Sequence, residues 1–584
     1  MRTGSCAARF FVEAGFNPDA HWHRPIVARN PSTRIGEVIS RLKVHPQTPE
    51  DDVVDEDFIL LWGEQKRVIT GSDLLGRLLR GITHRGEEKG SSGFRVESTA
   101  GLKNHSCAMP CETNAFFHFF STALGTQYAS VVTMLTIGLL ASASDPVTAR
   151  AADWPQFRGP GSSGVDESRP LPITWNIETG SNILWRTEIP GLGHASPIVW
   201  GDKVIVATAV KPGKADLKVG LYGDIKSVVE DEPHQWRLLA VDRASGRILW
   251  NTLALETIPK VKRHPKASHC NSTPATDGRR VVAIFGSEGL FCFDLDGRRL
   301  WKKDLGPMDS GFFQSPSAQW GFASSPVLHD GKVVVQCDVQ TNSFLAVFDA
   351  ADGRELWRVG RAEVPTWSTP AIIESNGKAQ IVVNGWRHTG GYDFATGREL
   401  WRLNGGGDIP VPTPIFSRDL DLIFLTSAHG RFRPMMAVRS NATGDITPPE
   451  VGATNAAIAW AHARQGNYMQ TPILLGGRVW GCSDSGVLTC FDAATGRIEY
   501  SERVASGQGF SASPVSDGRN LYVTGELGNV YVVPATGVFS IAATNAMGET
   551  CMATPALAGG RMFMRTREKL VAIGAATAKP KSRD

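Results

Sequence analysis

Phe348-Asp349-Ala350-Ala351-Asp352-Gly353-Arg354-Glu355-Leu356-Trp357 and Tyr392-Asp393-Phe394-Ala395-Thr396-Gly397-Arg398-Glu399-Leu400-Trp401 are near copies, each with Gly at Asp+4 and Trp at Asp+8. The pattern returns as Asp242, Gly246 and Trp250, and, with Tyr in the Trp place, as Asp492, Gly496 and Tyr500. A shortened copy, Asp294, Gly297 and Trp301, carries its Trp one residue earlier. Degenerate copies are Asn441 to Gly444, with Trp460 after an insertion, and Pro534 to Gly537, followed by Phe539. Asp, Asn and Thr side chains bond the local backbone and Gly accepts positive φ, so each copy suits a tight turn. Apolar and β-branched residues on both sides make that turn the connection of a β-hairpin.

A second landmark precedes each copy. Ser or Thr followed by Pro opens an apolar strand at Pro197, Pro274, Pro326, Pro370, Pro414, Pro472, Pro514 and Pro555. By subtraction these prolines lie 77, 52, 44, 44, 58, 42 and 41 residues apart. A unit of about 40 to 45 residues with several strands is the signature of propeller blades. Eight landmarks predict an all-β chain, an eight-bladed β-propeller of four-stranded antiparallel blades. The last unit holds three strands, and the stretch from Asn182 to Ile189 matches the Trp strand without a Ser-Pro strand before it. Pairing Trp185's segment with the last blade would close the circle and remove the open sheet edges.

The totals exclude several classes. A net charge of +3 with 20% charged residues offers no clustered basic face for nucleic acid. The nine cysteines show no C-x-x-C and no zinc or haem-attachment spacing. Cys270, Cys292, Cys337, Cys482, Cys490 and Cys551 fall in or beside apolar strands and read as small buried hydrophobes. The chain contains no G-x-S-x-G, H-E-x-x-H, P-loop or G-x-G-x-x-G.

Residues 1–112 share nothing with the repeats. Within them, Val68 to Leu75 resembles the strand-to-helix end of a CBS half-domain, where the Thr and Asp (here Thr70 and Asp73) would contact a nucleotide ribose. Residues 113–144 carry no Asp, Glu, Lys or Arg, and the apolar centre from Ala129 to Ala143 has the length of a signal-peptide core. Ala149 and Ala151 supply small residues for cleavage. Residues 113–151 therefore read as a signal peptide, with a membrane anchor as the alternative. A start of translation near Met109 would leave the first hundred residues outside the real protein. Residues 152–576 are the propeller and 577–584 a disordered tail. The stretches from Lys211 to His234 and from Asp445 to Thr454 read as surface loops inserted into the first and fifth blades.

Asp153-Trp154-Pro155-Gln156-Phe157-Arg158-Gly159, the Asp-x-x-x-Gly-x-x-x-Trp hairpins and the Ser/Thr-Pro strands together resemble the PQQ-like β-propeller repeat family of exported proteins. That family includes quinoprotein dehydrogenases and the propeller scaffold of the outer-membrane β-barrel assembly machinery. The resemblance implies an exported protein of the periplasm or cell envelope and leaves its activity open.

In a propeller the first strand of each blade lines the axis, so residues just before each Ser/Thr-Pro converge on one mouth of the channel. These give His194, His269, Asn271, Trp320, Trp367, Tyr468 and Phe510 as candidate ligand-binding residues. The turns between second and third strands reach the same face and add Trp386, Arg387 and His388. Aromatic walls with a few polar groups are what a ligand pocket needs. Arg361 is expected to pair with Glu363, and the hairpin tryptophans to wedge between blades. For a PQQ-dependent dehydrogenase oxidising an alcohol or sugar, the resemblance implies adjacent cysteines beside the cofactor among its marks, and no two cysteines here are neighbours. It would also need oxygens for Ca²⁺, which Asn271, Glu288, Asp338 and Glu526 supply only if they converge. The expectation is thus a monomeric, exported, non-catalytic scaffold with no assigned cofactor. It would bind an envelope protein partner or a small ligand through one face. A dehydrogenase holding PQQ and Ca²⁺ and a sugar- or polyanion-binding module are the alternatives.

Overall fold

The computed structural model describes residues 153–220, 226–375 and 377–575, with the backbone of 26–28, 58–62 and 66–70. The chain divides into two units, Met1–Ile137 and Gly138–Asp584. In the first, Ile26–Ala28 runs parallel to Phe58–Trp62, which pairs antiparallel with Lys66–Thr70. The CBS-like reading beyond Thr70, the signal or anchor at 113–151 and the tail at 577–584 lie outside the described residues. Among the described residues no helix is long and apolar enough to cross a membrane.

The second unit is an eight-bladed all-β propeller of four-stranded antiparallel sheets. The third blade is typical: Val327–His329, Lys332–Cys337, Phe344–Asp349 and Glu355–Gly360 pair in sequence order. Its two central strands are continuous apolar runs, with Val333, Val334, Val335, Ala346 and Val347 inaccessible to solvent, because each is packed on both faces by neighbouring blades. The outer strand alternates in burial. The eighth blade takes its outer strand from Ile183–Glu188, which pairs antiparallel with Lys569–Gly574.

Two devices join the blades, and each explains one sequence landmark. At six of the eight junctions the Ser or Thr before the proline accepts, through its hydroxyl, the backbone N–H of its counterpart in the preceding blade. Ser196 N donates to Thr273 Oγ1 (3.0 Å), Thr273 N to Ser325 Oγ (2.9 Å) and Ser325 N to Thr369 Oγ1 (3.0 Å). Thr413 N donates to Thr471 Oγ1 (3.0 Å), Thr471 N to Ser513 Oγ (2.9 Å) and Ser513 N to Thr554 Oγ1 (3.0 Å). These N–H groups border the axis, where an unmade bond would cost about 1–3 kcal/mol.

The second device is the hairpin. Each Trp indole N–H donates to the carbonyl one residue past the hairpin Asp of the next blade: Trp185 to Arg243, Trp250 to Leu295, Trp301 to Ala350, Trp357 to Phe394 and Trp460 to Ala493, at 2.9–3.2 Å. The hairpin Gly lies flat on the same ring. At Gly397, where φ is 73°, an added Cβ would come 2.6 Å from Trp357 Cε3. Opposite the Trp on its own sheet stands a small residue: Ala240, Cys292, Val347, Gly391, Ala437 or Ala572, with Cys490 facing Tyr500. Cys292 and Cys490 are buried thiols whose small side chains face these rings.

The junction of the fourth and fifth blades departs from both rules. Trp401 Nε1 donates to Gln380 Oε1 of its own blade (3.0 Å), and Gln380 Nε2 donates on to the Ser440 carbonyl (2.8 Å). The inserted Gly444–Asp445 pairs in parallel with Trp401 and Arg402, making this a five-stranded sheet and covering its edge. Thr413 Oγ1 is buried without a hydrogen-bond partner. The 445–454 stretch, expected as a plain surface loop, thus begins as a strand on the neighbouring blade.

Gly397→Ala should lower stability by about 2 kcal/mol or more, combining positive-φ strain with a clash. Gly331→Ala, also at positive φ but facing open space, should cost only the strain. Urea titration of the two variants separates the terms. Thr471→Val should cost about 1–3 kcal/mol by orphaning the Thr413 N–H, whereas Thr413→Val should be nearly neutral because its hydroxyl bonds nothing. Equal losses in a thermal melt would contradict the hydroxyl ring.

Candidate functional site

The residues ahead of the Ser/Thr-Pro strands surround an axial cavity of about 190 Å³. The Ser/Thr ring forms its waist. On one side Phe157 forms the floor, carried by the segment that opens the propeller. That segment crosses the far face of the blades. Trp154 pairs with Val199 of the first blade, and Pro155 accepts from Thr276 of the second. Arg158 is fully buried and donates to the carbonyls of Pro472 and Pro514 (both 2.8 Å), tying the sixth and seventh blades together. Burial without a carboxylate pulls its guanidinium down to about 9.

The mouth is shaped by Trp320, Trp367, Ile409, Val411, Tyr468, Met469 and Met552, with His194, Lys266, Asn271 and Ser511 among the polar groups. Five sequence candidates come together here: His194, Asn271, Trp320, Trp367 and Tyr468. The polar side chains of His194, Asn271 and Trp367 are already engaged. His194 Nε2 bonds the Lys266 carbonyl (3.0 Å), Asn271 Oδ1 accepts from Ser268 and its Nδ2 donates to Phe322, and Trp367 Nε1 donates to Gly321 (2.8 Å). Lys266 Nζ lies 2.6 Å from Glu526 Oε1, which also accepts from Ser511 Oγ (2.6 Å). Burial holds the Lys266 ammonium below its usual value, against the pull of Glu526.

The other five candidates lie elsewhere. Phe510 is fully buried and packs against Tyr531 between the sixth and seventh blades, because its ring turns into the sheets and away from the axis. Trp386 stacks on Phe313 (4.3 Å). Arg387 and His388 contribute their backbone amides to Glu363, at 2.8–3.1 Å. His269 turns from the cavity to Glu230, its Nε2 2.9 Å from Oε2. Burial pushes the His269 imidazole below its usual range, with Glu230 pulling the other way. Arg361, expected beside Glu363, takes Asp338 as its main partner, with Nε–Oδ1 at 2.7 Å and Nη2–Oδ2 at 3.2 Å; Glu363 is 3.8 Å away. Asp338 already accepts from Arg361, Gln336 and Thr366.

Two insertions fold over the mouth. Residues 306–320 contain a hairpin, Gly311–Phe312 with Ser315–Gln319, that the repeat spacing did not reveal. Its Phe312 packs with Trp367, Ile409 and Tyr468, all of which line the cavity. The Lys211–His234 insertion, expected as a surface loop, reaches the same face. Gly220 N donates to Glu526 Oε2 (3.0 Å), and Ser227 Oγ donates to Ser317 and Gln319. Phe157 and Lys266 also escaped the sequence reading. Phe157 had a signal in the opening motif, whereas Lys266 sits on an irregular approach with no period to mark it.

A family model described as outer membrane protein assembly factor BamB, of the PQQ-repeat type, matches residues 165–311 and 234–502. The chain belongs to this PQQ-repeat family. No curated protein sequence matches it. BamB from Moraxella catarrhalis is 13% identical over 63% of this chain and 98% of its own, with a TM-score of 0.43. Quinohemoprotein alcohol dehydrogenase from Comamonas testosteroni is 11% identical over 74% of this chain and 82% of its own, with a TM-score of 0.47. For a PQQ-repeat protein the natural question is whether the axis could hold a calcium-bound quinone. The donor set does not fit: among the described residues no Asp or Glu lines the cavity, and Ca²⁺ needs a shell of oxygens. Glu526 is held by Lys266, and Asp338 by Arg361.

Acid should destabilise the mouth. Burial keeps His194 neutral down to about 3, and His264, stacked on Trp320 at 3.9 Å, down to about 4. Unfolded histidine titrates near 6.5, so between roughly pH 6.5 and 4 the unfolded chain binds protons that the folded chain refuses. Stability should fall with acidification by up to about 1.4 kcal/mol per pH unit from His194 alone. Melting temperatures measured from pH 7 to 4.5 should flatten in the His194→Gln, His264→Gln double variant.

Proposed function

We propose that this chain is a non-catalytic, partner-binding propeller of the cell envelope that receives an apolar side chain of a protein partner at its axial mouth. The observation that carries the reading is the wall of the cavity. Its ionisable and amide side chains are spent on one another or on the backbone, so what remains for a guest is the apolar surface of Trp320, Met469, Met552, Ile409 and Val411. A neutral pocket with satisfied polar groups favours contact by burial, at about 25 cal/mol per Å² of apolar area removed from water. The Ser511 hydroxyl at the wall is given to Glu526, whose charge is in turn met by Lys266. The description of the matched family, an outer membrane protein assembly factor, supports an assembly role. The apolar stretch 129–143 supports export.

A photo-reactive residue replacing Trp320 should crosslink a discrete protein in the envelope fraction. The same residue replacing Val538, which is 75% exposed on the seventh blade's hairpin, should not. In parallel, the purified chain given PQQ and Ca²⁺ should retain no quinone and reduce no dye with alcohols or sugars. Turnover in that assay would overturn the reading.

A further inference from the structure

Beside the axial mouth, a cluster that the binding reading does not use joins the first insertion to two blades. We propose that Glu230, His234 and His269 form a binding site for a borderline divalent transition metal, Zn²⁺ foremost. Their ligand atoms all lie within 4.8 Å of one another. The three side chains are at most 8% exposed. Glu230 comes from the insertion, His234 begins the third strand of the first blade, and His269 lies on the approach to the second blade.

The orientation of His234 is the stronger observation. Its Nδ1 lies 2.9 Å from the Glu232 carbonyl oxygen. A carbonyl only accepts, so Nδ1 carries the proton of the neutral ring and Nε2 presents its lone pair. In the neutral ring that lone pair faces Glu230 Oε2 at 3.7 Å, acceptor towards acceptor. A cation between them turns this opposition into ligation. An imidazole whose other nitrogen donates to a backbone carbonyl is also the usual posture of a metal ligand. His269 Nε2 stands 2.9 Å from the same oxygen and completes a two-nitrogen, one-oxygen set, with a fourth position left for water.

Arg263 supports the carboxylate from its other edge. Its Nε bonds Oε2 and its Nη2 bonds Oε1, both at 2.9 Å. The same guanidinium is anchored on the carbonyls of Ala267 and Asp216, each at 3.0 Å. Each carboxylate oxygen has two lone pairs, and Oε2 already meets Arg263 Nε and His269 Nε2; a metal bound by His269 Nε2 would displace the proton between that nitrogen and Oε2 and take its place beside Arg263. The positive charge of Arg263, and of Lys211 at 3.9 Å from Oε1, weakens the attraction for a cation. The imidazole pair selects for a borderline ion over Ca²⁺ or Mg²⁺, which prefer oxygen.

The test is metal binding by the full-length chain after dialysis against chelator. Co²⁺ should give visible d–d bands of a low-coordinate nitrogen-containing site, and Zn²⁺ should displace them. One equivalent of Zn²⁺ should survive gel filtration, and the melting temperature should rise with Zn²⁺ but not with Mg²⁺. His234→Gln and His269→Gln should each weaken binding at least tenfold. Glu230→Gln, which also breaks the Arg263 pair, is judged only with a circular dichroism check of folding. Absence of a Co²⁺ spectrum in the wild-type chain, or an unchanged affinity in both histidine variants, would overturn the site.

Discussion

A backbone N–H that borders a propeller's axis has no strand beside it to bond, and the fold depends on how that donor is satisfied. Here the preceding blade's N–H is met by a Ser or Thr hydroxyl placed one residue before a proline, as between Thr471 and Ser513. The proline that follows has no N–H of its own to satisfy and holds the chain extended. The hydroxyl is therefore a joint between sheets, and the Ser/Thr-Pro pair recurs because each blade must present one to its neighbour. Farther out, the Trp–Gly contact does the same with apolar area: the ring covers the next hairpin while its N–H holds a carbonyl in that turn. Where they occur, both joints run one way round the circle, from a blade to the next, and Trp185 meets Arg243 across the eighth and first blades in the same manner.

Where a joint changes, the surroundings compensate. Between the fourth and fifth blades, the hairpin glycine of the fifth blade, Gly444, has moved onto the outer strand of the fourth, so Trp401 has no turn to cover. Gln380 fills the gap, accepting from Trp401 and donating to Ser440, and thereby carries the contact that an indole and a carbonyl make directly elsewhere. Gly391 is required opposite: a Cβ there would stand 2.1 Å from Trp401 Nε1. One insertion has thus reset the side chains of Trp401 and Gln380 while leaving the blade count unchanged.

This contrast explains what was legible in the sequence. The blades were readable because their determinants are local and repeated: an Asp-Gly turn, a Trp eight residues on, a hydroxyl before a proline. Five of the ten candidate residues reach the cavity because strand entry fixes which residues approach the axis. The others failed at the level of side-chain direction. Phe510 and Tyr468 occupy comparable approaches, yet Phe510 turns into the sheets beneath Gly486 while Tyr468 turns to the cavity. His269 was drawn off by Glu230, a residue 39 positions away inside an insertion with no repeat register. The hairpin at 311–319 had no period to announce it, since it occurs once.

The division has a functional consequence. The ring and the floor are built from parts the family resemblance already contained: the Ser/Thr-Pro strands and the opening Trp154–Arg158 motif. The mouth is built from what the repeats lack. Ser227 of one insertion holds Ser317 and Gln319 of the other, Gly220 locks Glu526, and Glu526 in turn fixes Lys266 at the cavity wall. These ties set the size and polarity of the opening, so the proposed recognition would depend on the chain's least repetitive segments. A PQQ-repeat propeller can therefore keep its frame while its insertions rewrite what the axis admits, which is why membership of the family identifies the scaffold and leaves the guest to be read from Trp320, Lys266 and their neighbours.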